Sequence, residues 1–511
     1  MSYNFLAYFA LFLPIVVLVY QIVPQKFRFV VLLIADYTFF CIISRFLVVY
    51  LLFATVLTYY IGLWIEKISL KSGFTAKELT GKKRKALALG IVINILVILI
   101  LKYTNFFAGA IFNIFGKDFT PIRFLVPIGI SFYTLEIISY LTDVYRGTQK
   151  AEHNLAKIAL FLSFFPQIME GPIARYNQTA DDLYAGKGIQ FDNLKFGAQR
   201  IIWGLFKKIV IADRIFPAVK HIFNNYEILD GSIILFGAVV YTCQLYMEFS
   251  GAMDIIMGSG EIFGINLPEN FRQPFFARTA GDFWRRWHIT LGTFFKDYIF
   301  YPVSLAKPVK KSAKKIKEKC GKTVAKFVAP TAALFCVWVC NGLWHGANWT
   351  FLFYGMYYFI IIFIENITEN PVKNMTAKLH INTHNIFYRG FRTVKIFAII
   401  VIGEMFYRAD TLSQGFKMFG KIFSDFHITQ LFKRFGTLRV DTVDIIIAVI
   451  GVIIVTIVGV LLEKNIKIRE KIDGWKLPLR WTFWLTAVMV IVLFGAYGSG
   501  YAAVDLIYAG Y

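Results

Sequence analysis

The chain has 511 residues, 57% of them hydrophobic and 17% charged, with a mean hydropathy of +0.58 and 53 phenylalanines. A soluble chain of this length could not bury so much apolar surface, and a disordered one would not carry it, so the composition predicts a polytopic membrane protein. The net charge of +23 falls largely in short blocks between apolar segments, which points to anionic lipid and membrane topology; no recognition module is visible, and nucleic acid is set aside as a partner.

A membrane-crossing helix needs about 20 mostly apolar residues. Stretches of that kind run over 4–23, 28–44, 46–65, 86–103, 122–144, 231–257, 326–345, 347–364, 394–408, 442–462 and 481–503. Interrupted apolar stretches at 155–175, 192–213 and 289–305 predict re-entrant or interfacial helices, which often wall a site. The first stretch has no basic leader and no small-residue cleavage site, so it is expected to span and not to be a cleaved signal. The expectation is one all-α integral membrane unit over 1–511. Peripheral spans occupy 1–121, a catalytic core 122–364, and C-terminal spans with a tail 365–511.

Three basic blocks orient this unit. Residues 66–86 hold seven Lys or Arg, residues 307–326 hold nine lysines against Glu318, and residues 464–480 hold six basic groups. The positive-inside rule places all three as cytoplasmic loops, so both termini and the 409–441 segment are expected outside. There is no internal repeat of the kind repeat-built transporters show. Five cysteines, mostly in apolar stretches, read as buried thiols and not as a disulfide framework.

Ionisable groups inside spans are costly and are functional candidates by default. They are dense from Gln244 to Tyr298: Glu248 and Asp254, then Leu267 to Phe271, then Asp282 to His288, then Lys296 and Asp297. After the lysine block comes Asn341, Gly342, Leu343, Trp344, His345, Gly346. His345 ends an apolar segment between two small residues. Its imidazole titrates near neutrality and can take and return a proton, so it is the expected catalytic residue, with Trp344 and Trp349 as walls. His288 is the second candidate. It follows Trp284, Arg285, Arg286 and Trp287, which read either as an interfacial anchor or as a phosphate clamp. Asp297 orients His288 or pairs with Lys296. Gly258, Gly260 and Gly264 do not have dinucleotide-fingerprint spacing, no metal-ligand cluster or Gly-x-Ser-x-Gly elbow occurs, and the sequons at Asn177 and Asn374 are weak.

Several segments together resemble the membrane-bound O-acyltransferase (MBOAT) family, in its bacterial alginate O-acetyltransferase-like branch. They are Pro127 to Gly147, Phe164 to Tyr176, Gln244 to Asp254, Leu267 to Phe271, Phe283 to Tyr298, Gly342 to Ala347 and Phe406 to Asp410. The resemblance implies a ring of about 11 transmembrane helices around a thin central tunnel, in a bacterial cell membrane. It implies an acyl donor arriving from the cytoplasm and delivery outside, His345 as the catalytic histidine and His288 as the second family histidine. Leu135 and Glu136 depart from the Phe-Gln that relatives often carry. The tail from Leu506 to Tyr511 is similar to the branch's aromatic tail, which implies Tyr508 as a brief acyl carrier; a phenol ester stays activated toward a sugar hydroxyl. An amphipathic anchor is the other reading of that tail.

The expected reaction is acyl transfer from a cytoplasmic thioester to an exopolysaccharide or cell-wall glycan, through an extracytoplasmic partner transferase. The donor is acetyl-CoA, with no resident cofactor and no metal. Arg285 and Arg286 are expected to hold its phosphates and His345 to act as general base, while Asn341 or Trp344 steadies the oxyanion. Glu248, Trp284, Trp287 and Asp297 are further tunnel-lining candidates. D-alanyl transfer to teichoic acid from an acyl-carrier phosphopantetheine is the alternative within the family. A transporter or flippase using Glu136, Glu248, Asp254 and Glu404 is the alternative of another class.

Overall fold

The computed structural model describes residues 7–497. Among them every regular element is a helix, and the extended pairing between Phe271 and Trp287 is an isolated antiparallel bridge. Seven helices are long and apolar enough to cross a membrane: Gln25–Ser69, Ala76–Ile114, Gly231–Ile262, Lys307–His345, Trp349–Lys378, Thr442–Glu463 and Leu477–Phe494. This is a multi-pass membrane protein.

The differences from the eleven expected stretches have local causes. Gln25–Ser69 holds two of them, Gln25–Ser44 and Val48–Ser69, divided where Arg45 takes a positive φ of 51°. The first stretch is a π-helical turn, Tyr8–Phe12, followed by the short helix Leu13–Ile22. The 122–144 stretch is helical only from Ile130, because Pro121, Pro127 and Gly129 hold the preceding chain out of a helix. The 394–408 stretch is the far part of Ile386–Arg408, whose opening turns carry Arg389, Arg392 and Lys395. The 155–175, 192–213 and 289–305 segments are broken helices, each interrupted by a turn or a π-helical stretch.

Two expectations need correction. The lysine block is no loop: it is the first part of the helix Lys307–His345, interrupted at Gly321 (φ 83°, ψ 173°). A proline-led start and closely spaced lysines with long stems suit a helix. The cysteines are all free, but Cys41 and Cys320 are exposed and Cys243, Cys336 and Cys340 are only partly buried.

The chain divides into two compact units. Of the described residues, one comprises 7–205 and 252–268. Its aromatic layer joins Tyr8, Phe12, Phe39 and Phe165 through ring contacts of 5.1–6.4 Å. Gly197 and Gly258 let two helices touch, since a Cβ on either would stand 2.6 Å from the other's carbonyl oxygen. The intramembrane acids of this unit are satisfied by the protein. Asp36 accepts from Ser163 Oγ (3.1 Å) and Phe165 N (2.8 Å), Asp254 pairs with Arg200 (3.0 Å), and Glu136 accepts from Gln167.

The other comprises 206–251 and 269–497 and contains both candidate histidines. Thr442–Glu463 shows how its helices meet protein and lipid. It buries Ala448, Gly451, Val455 and Gly459, on one face at helical spacing, while Ile446, Val449, Ile450, Ile453 and Ile457 point out. Small residues inward and branched residues outward are the pattern of a helix packed closely on protein and solvated by lipid.

Candidate active site

His345 closes the 39-residue helix Lys307–His345, here called the histidine helix. The chain leaves it through Gly346, whose φ of 144° favours glycine. Asn348 then caps the next helix, Trp349–Lys378, by accepting from Thr350 N (3.1 Å). The two helices form a tight hairpin. A Cβ on Gly342 would lie 2.6 Å from the Phe351 carbonyl oxygen, and one on Gly355 would collide with the Trp338 carbonyl. This close approach brings Phe351 and Tyr354 of the return helix to the imidazole.

The His345 ring is 6% exposed. Tyr354 stands edge-on to it (5.9 Å, 90°), and Phe351 is 6.3 Å away. Tyr407, on the helix Ile386–Arg408, meets it at 5.1 Å and 88°, with its hydroxyl 3.4 Å from Nδ1. Tyr354 is itself held by donating to Glu404 Oε1 (2.8 Å). Glu404 and Tyr407 lie one turn apart on the same helix, so one helix face holds the catalytic candidate both directly and through Tyr354.

His288 sits at a corner. It takes a left-handed conformation (φ 47°, ψ 52°) just before the short helix Ile289–Phe295 and is 2% exposed. Asn270 Oδ1 accepts from Thr290 N (3.1 Å) and Thr290 Oγ1 (2.9 Å) and lies 3.1 Å from His288 Nδ1. The backbone donor fixes which amide atom is the oxygen, so Nδ1 must carry the proton and Nε2 the lone pair. Phe249 packs against the ring at 5.0 Å.

The remaining candidates separate. Asn341 is buried one turn before His345, on the same helix face, and its Nδ2 has no hydrogen-bond partner. Trp284 joins the aromatic shell, touching Trp338 and Tyr358 at 4.9 Å and Tyr354 at 6.2 Å. Trp287 packs on Phe271 at 5.0 Å and walls the His288 corner. Trp344 is half-buried beside His345, and Asp297 lies in the π-helical turn Lys296–Phe300. The residue that orients His288 is Asn270.

The arginines do not form a matched pair. Arg286 is committed to Glu463 (2.5 Å) and Asp282 (3.4 Å), while Arg285 is exposed and reaches Asp282 at 3.5 Å. Glu248 belongs elsewhere. It faces Lys208 (3.5 Å), which also binds Asp213 (2.6 Å), while the neighbouring Lys207 binds Ser250 (3.0 Å). The π-helical stretch Phe206–Ala212 turns both lysines inward, so this cluster is a balanced buried ion network. Tyr508 lies outside the described residues.

Sequence reasoning missed the parts played by Tyr354, Tyr407 and Asn270. Tyr407 and Asn270 were inside recognised motifs, and Tyr407 lies three residues after the intramembrane Glu404, a spacing that marks a shared helix face.

The sequence profile of MBOAT, the membrane-bound O-acyltransferase family, matches residues 148–406, which include both histidines. The probable alginate O-acetylase AlgI of Azotobacter vinelandii is 32% identical over 457 residues, covering 86% of this chain and 83% of that protein. The peptidoglycan O-acetyltransferase of Helicobacter pylori is 29% identical over 66% of this chain and 64% of its own. The teichoic acid D-alanyltransferase of Bacillus subtilis is 28% identical over 49% of this chain and 61% of its own. A multi-pass protein whose described elements are all helical, with two buried histidines inside the matched region and a match over most of its length to an acyl-transferring relative, belongs to the membrane-bound O-acyltransferase family and is an O-acyltransferase.

Proposed function

We propose that the protein transfers an acetyl group from a cytoplasmic thioester, acetyl-CoA, to a hydroxyl on an extracytoplasmic glycan, with His345 as general base. The observation that carries this reading is the setting of His345: a buried imidazole at a helix end, its Nδ1 facing the Tyr407 hydroxyl.

In the reactive tautomer Nδ1–H donates to Tyr407 Oη, which puts the lone pair on Nε2. Nε2 takes the proton from the attacking hydroxyl, whose oxygen bonds to the thioester carbonyl carbon. The C–S bond then breaks, and the imidazolium returns the proton to the departing thiolate. The Asn341 amide is the donor for the carbonyl oxygen as it gains charge, because its N–H is buried, unclaimed and one turn from His345. His288 Nε2, with its lone pair fixed by Asn270, is the second proton acceptor near this centre. Arg285 is the arginine left exposed for the donor's phosphates. Tyr508 as the first attacking hydroxyl, an extracytoplasmic partner transferase, and termini outside a bacterial plasma membrane complete the reading. The similarity to the alginate and peptidoglycan enzymes supports acetyl and a glycan acceptor. The shorter match to a D-alanyltransferase supports D-alanyl transfer from a carrier protein as the second reading.

The test is mass spectrometry of cell-surface glycan from cells with the protein, without it, and with His345→Ala. Acetyl esters that vanish in both altered strains support the reading. D-alanyl esters that vanish instead favour the second one, and normal acylation by His345→Ala overturns the role of the histidine.

A further inference from the structure

Residues 307–326 carry nine lysines and one acid, and the structure shows that the protein does not neutralise them. They form the first part of the histidine helix, and all nine lysines are exposed. Among the described residues none of the nine is in an ion pair, and Glu318 pairs with none of them. Many lie three or four residues apart, as with Lys307 and Lys311 or Lys310 and Lys314, so like charges face each other along the helix. A free helix of this kind is disfavoured by its own repulsion. The half-buried residues Val309, Ala313 and Ile316 share the opposite face.

We infer that residues 307–320 form a docking helix for anionic phospholipid headgroups. Three observations select lipid over a soluble partner. The basic helix leads through Gly321 directly into the apolar part of a membrane-crossing helix, so its lysines are held at headgroup depth by the chain itself. Gly321 interrupts the helical backbone between the basic and the apolar part, at a φ of 83° that favours glycine, which allows the basic part to leave the span's axis. The lysines cover a wide arc instead of a focused spot, which suits a surface of many headgroups and long stems lying along it. Lipid docking itself does not rest on the acyl-transfer reading.

The experiment uses the full chain in vesicles. Cys320 is the natural probe: it is exposed within this segment, and Cys41→Ser removes the other exposed thiol. A fluorophore on Cys320 is read against a headgroup-attached quencher, in phosphatidylcholine alone and in phosphatidylcholine with phosphatidylglycerol. Docking predicts stronger quenching in the anionic vesicles, reversed by high salt. It also predicts loss in a variant with Lys310→Gln, Lys311→Gln, Lys314→Gln and Lys315→Gln, at roughly fivefold in the docking equilibrium per lysine. Equal quenching in both vesicle types overturns the inference. So does protection of the probe in neutral vesicles by soluble polyglutamate at a strength matching anionic lipid, which assigns the face to an acidic protein.

Discussion

Gly342→Ala tests whether the hairpin geometry sets the position of His345. A methyl at Gly342 would stand 2.6 Å from the Phe351 carbonyl oxygen and 3.1 Å from Leu352 Cα, where ordinary contact begins at 3.4 Å. The obstacle is backbone, not a flexible side chain, so the two helices must separate by about 0.8 Å to reach ordinary contact. That shift moves Phe351 and Tyr354 away from the imidazole. Overpacking of this kind costs about 1–3 kcal/mol, and a displacement near 1 Å at a reacting group lowers the rate by about 10²-fold. The assay is transfer of labelled acyl group from the thioester, run well below the melting temperature so that folded protein is measured, with thermal unfolding in detergent alongside. Gly81→Ala is the control, because nothing lies within 4 Å of its added methyl. In the helix Ala76–Ile98 it is expected to be neutral or to gain up to about 1 kcal/mol. A Gly342→Ala protein with unchanged rate would refute the link between helix contact and histidine position.

Three other outcomes follow from single contacts. Tyr407→Phe removes the hydroxyl facing His345 Nδ1 while keeping the ring. The expected result is about a fivefold loss of rate with near-normal melting, the size of one hydrogen bond of about 1 kcal/mol, read in the same transfer assay. Asn270→Ala strips the shared acceptor from His288 Nδ1, Thr290 N and Thr290 Oγ1; both the rate and the melting temperature should fall, by more than in Tyr407→Phe. Lys208→Met leaves Asp213 and Glu248 buried without their cation; a destabilisation of about 3–5 kcal/mol is expected, read as lost folded protein on size-exclusion chromatography.

The membrane class, the helical fold and the position of both histidines were legible in the sequence because each depends on local pattern. Apolar length marks a span, and a histidine inside an apolar run is visible without knowing what surrounds it. What surrounds it is not local. Asn270 reaches His288 across 18 residues, and Tyr407 reaches His345 across 62. Glu248 was singled out as an ionisable group inside an apolar run, and its neighbour Phe249 does touch His288. A helix turns by about 100° per residue, so Glu248 faces the Lys208 cluster instead. The lysine block was read as a loop because charge between apolar runs usually marks one. The structure makes it helix, since nothing in its residues before Gly321 breaks one.

Both imidazoles stand where the regular helix stops, and that placement has a mechanical consequence. His288 is fixed by a left-handed backbone and a side-chain acceptor, so its orientation is local and its Nε2 lone pair is set before any substrate arrives. His345 is fixed from outside its own helix, by glycine contact with the return helix and by Tyr354 and Tyr407. Its Nδ1 partner is a hydroxyl, which can give or accept a proton, whereas the partner of His288 only accepts. His345 can therefore exchange tautomers without breaking its contact, and His288 cannot. Nε2 of either ring can take and return a proton while Nδ1–H stays with its partner, so the two contacts differ in how firmly they fix the tautomer: His288 is held in one, and His345 is not.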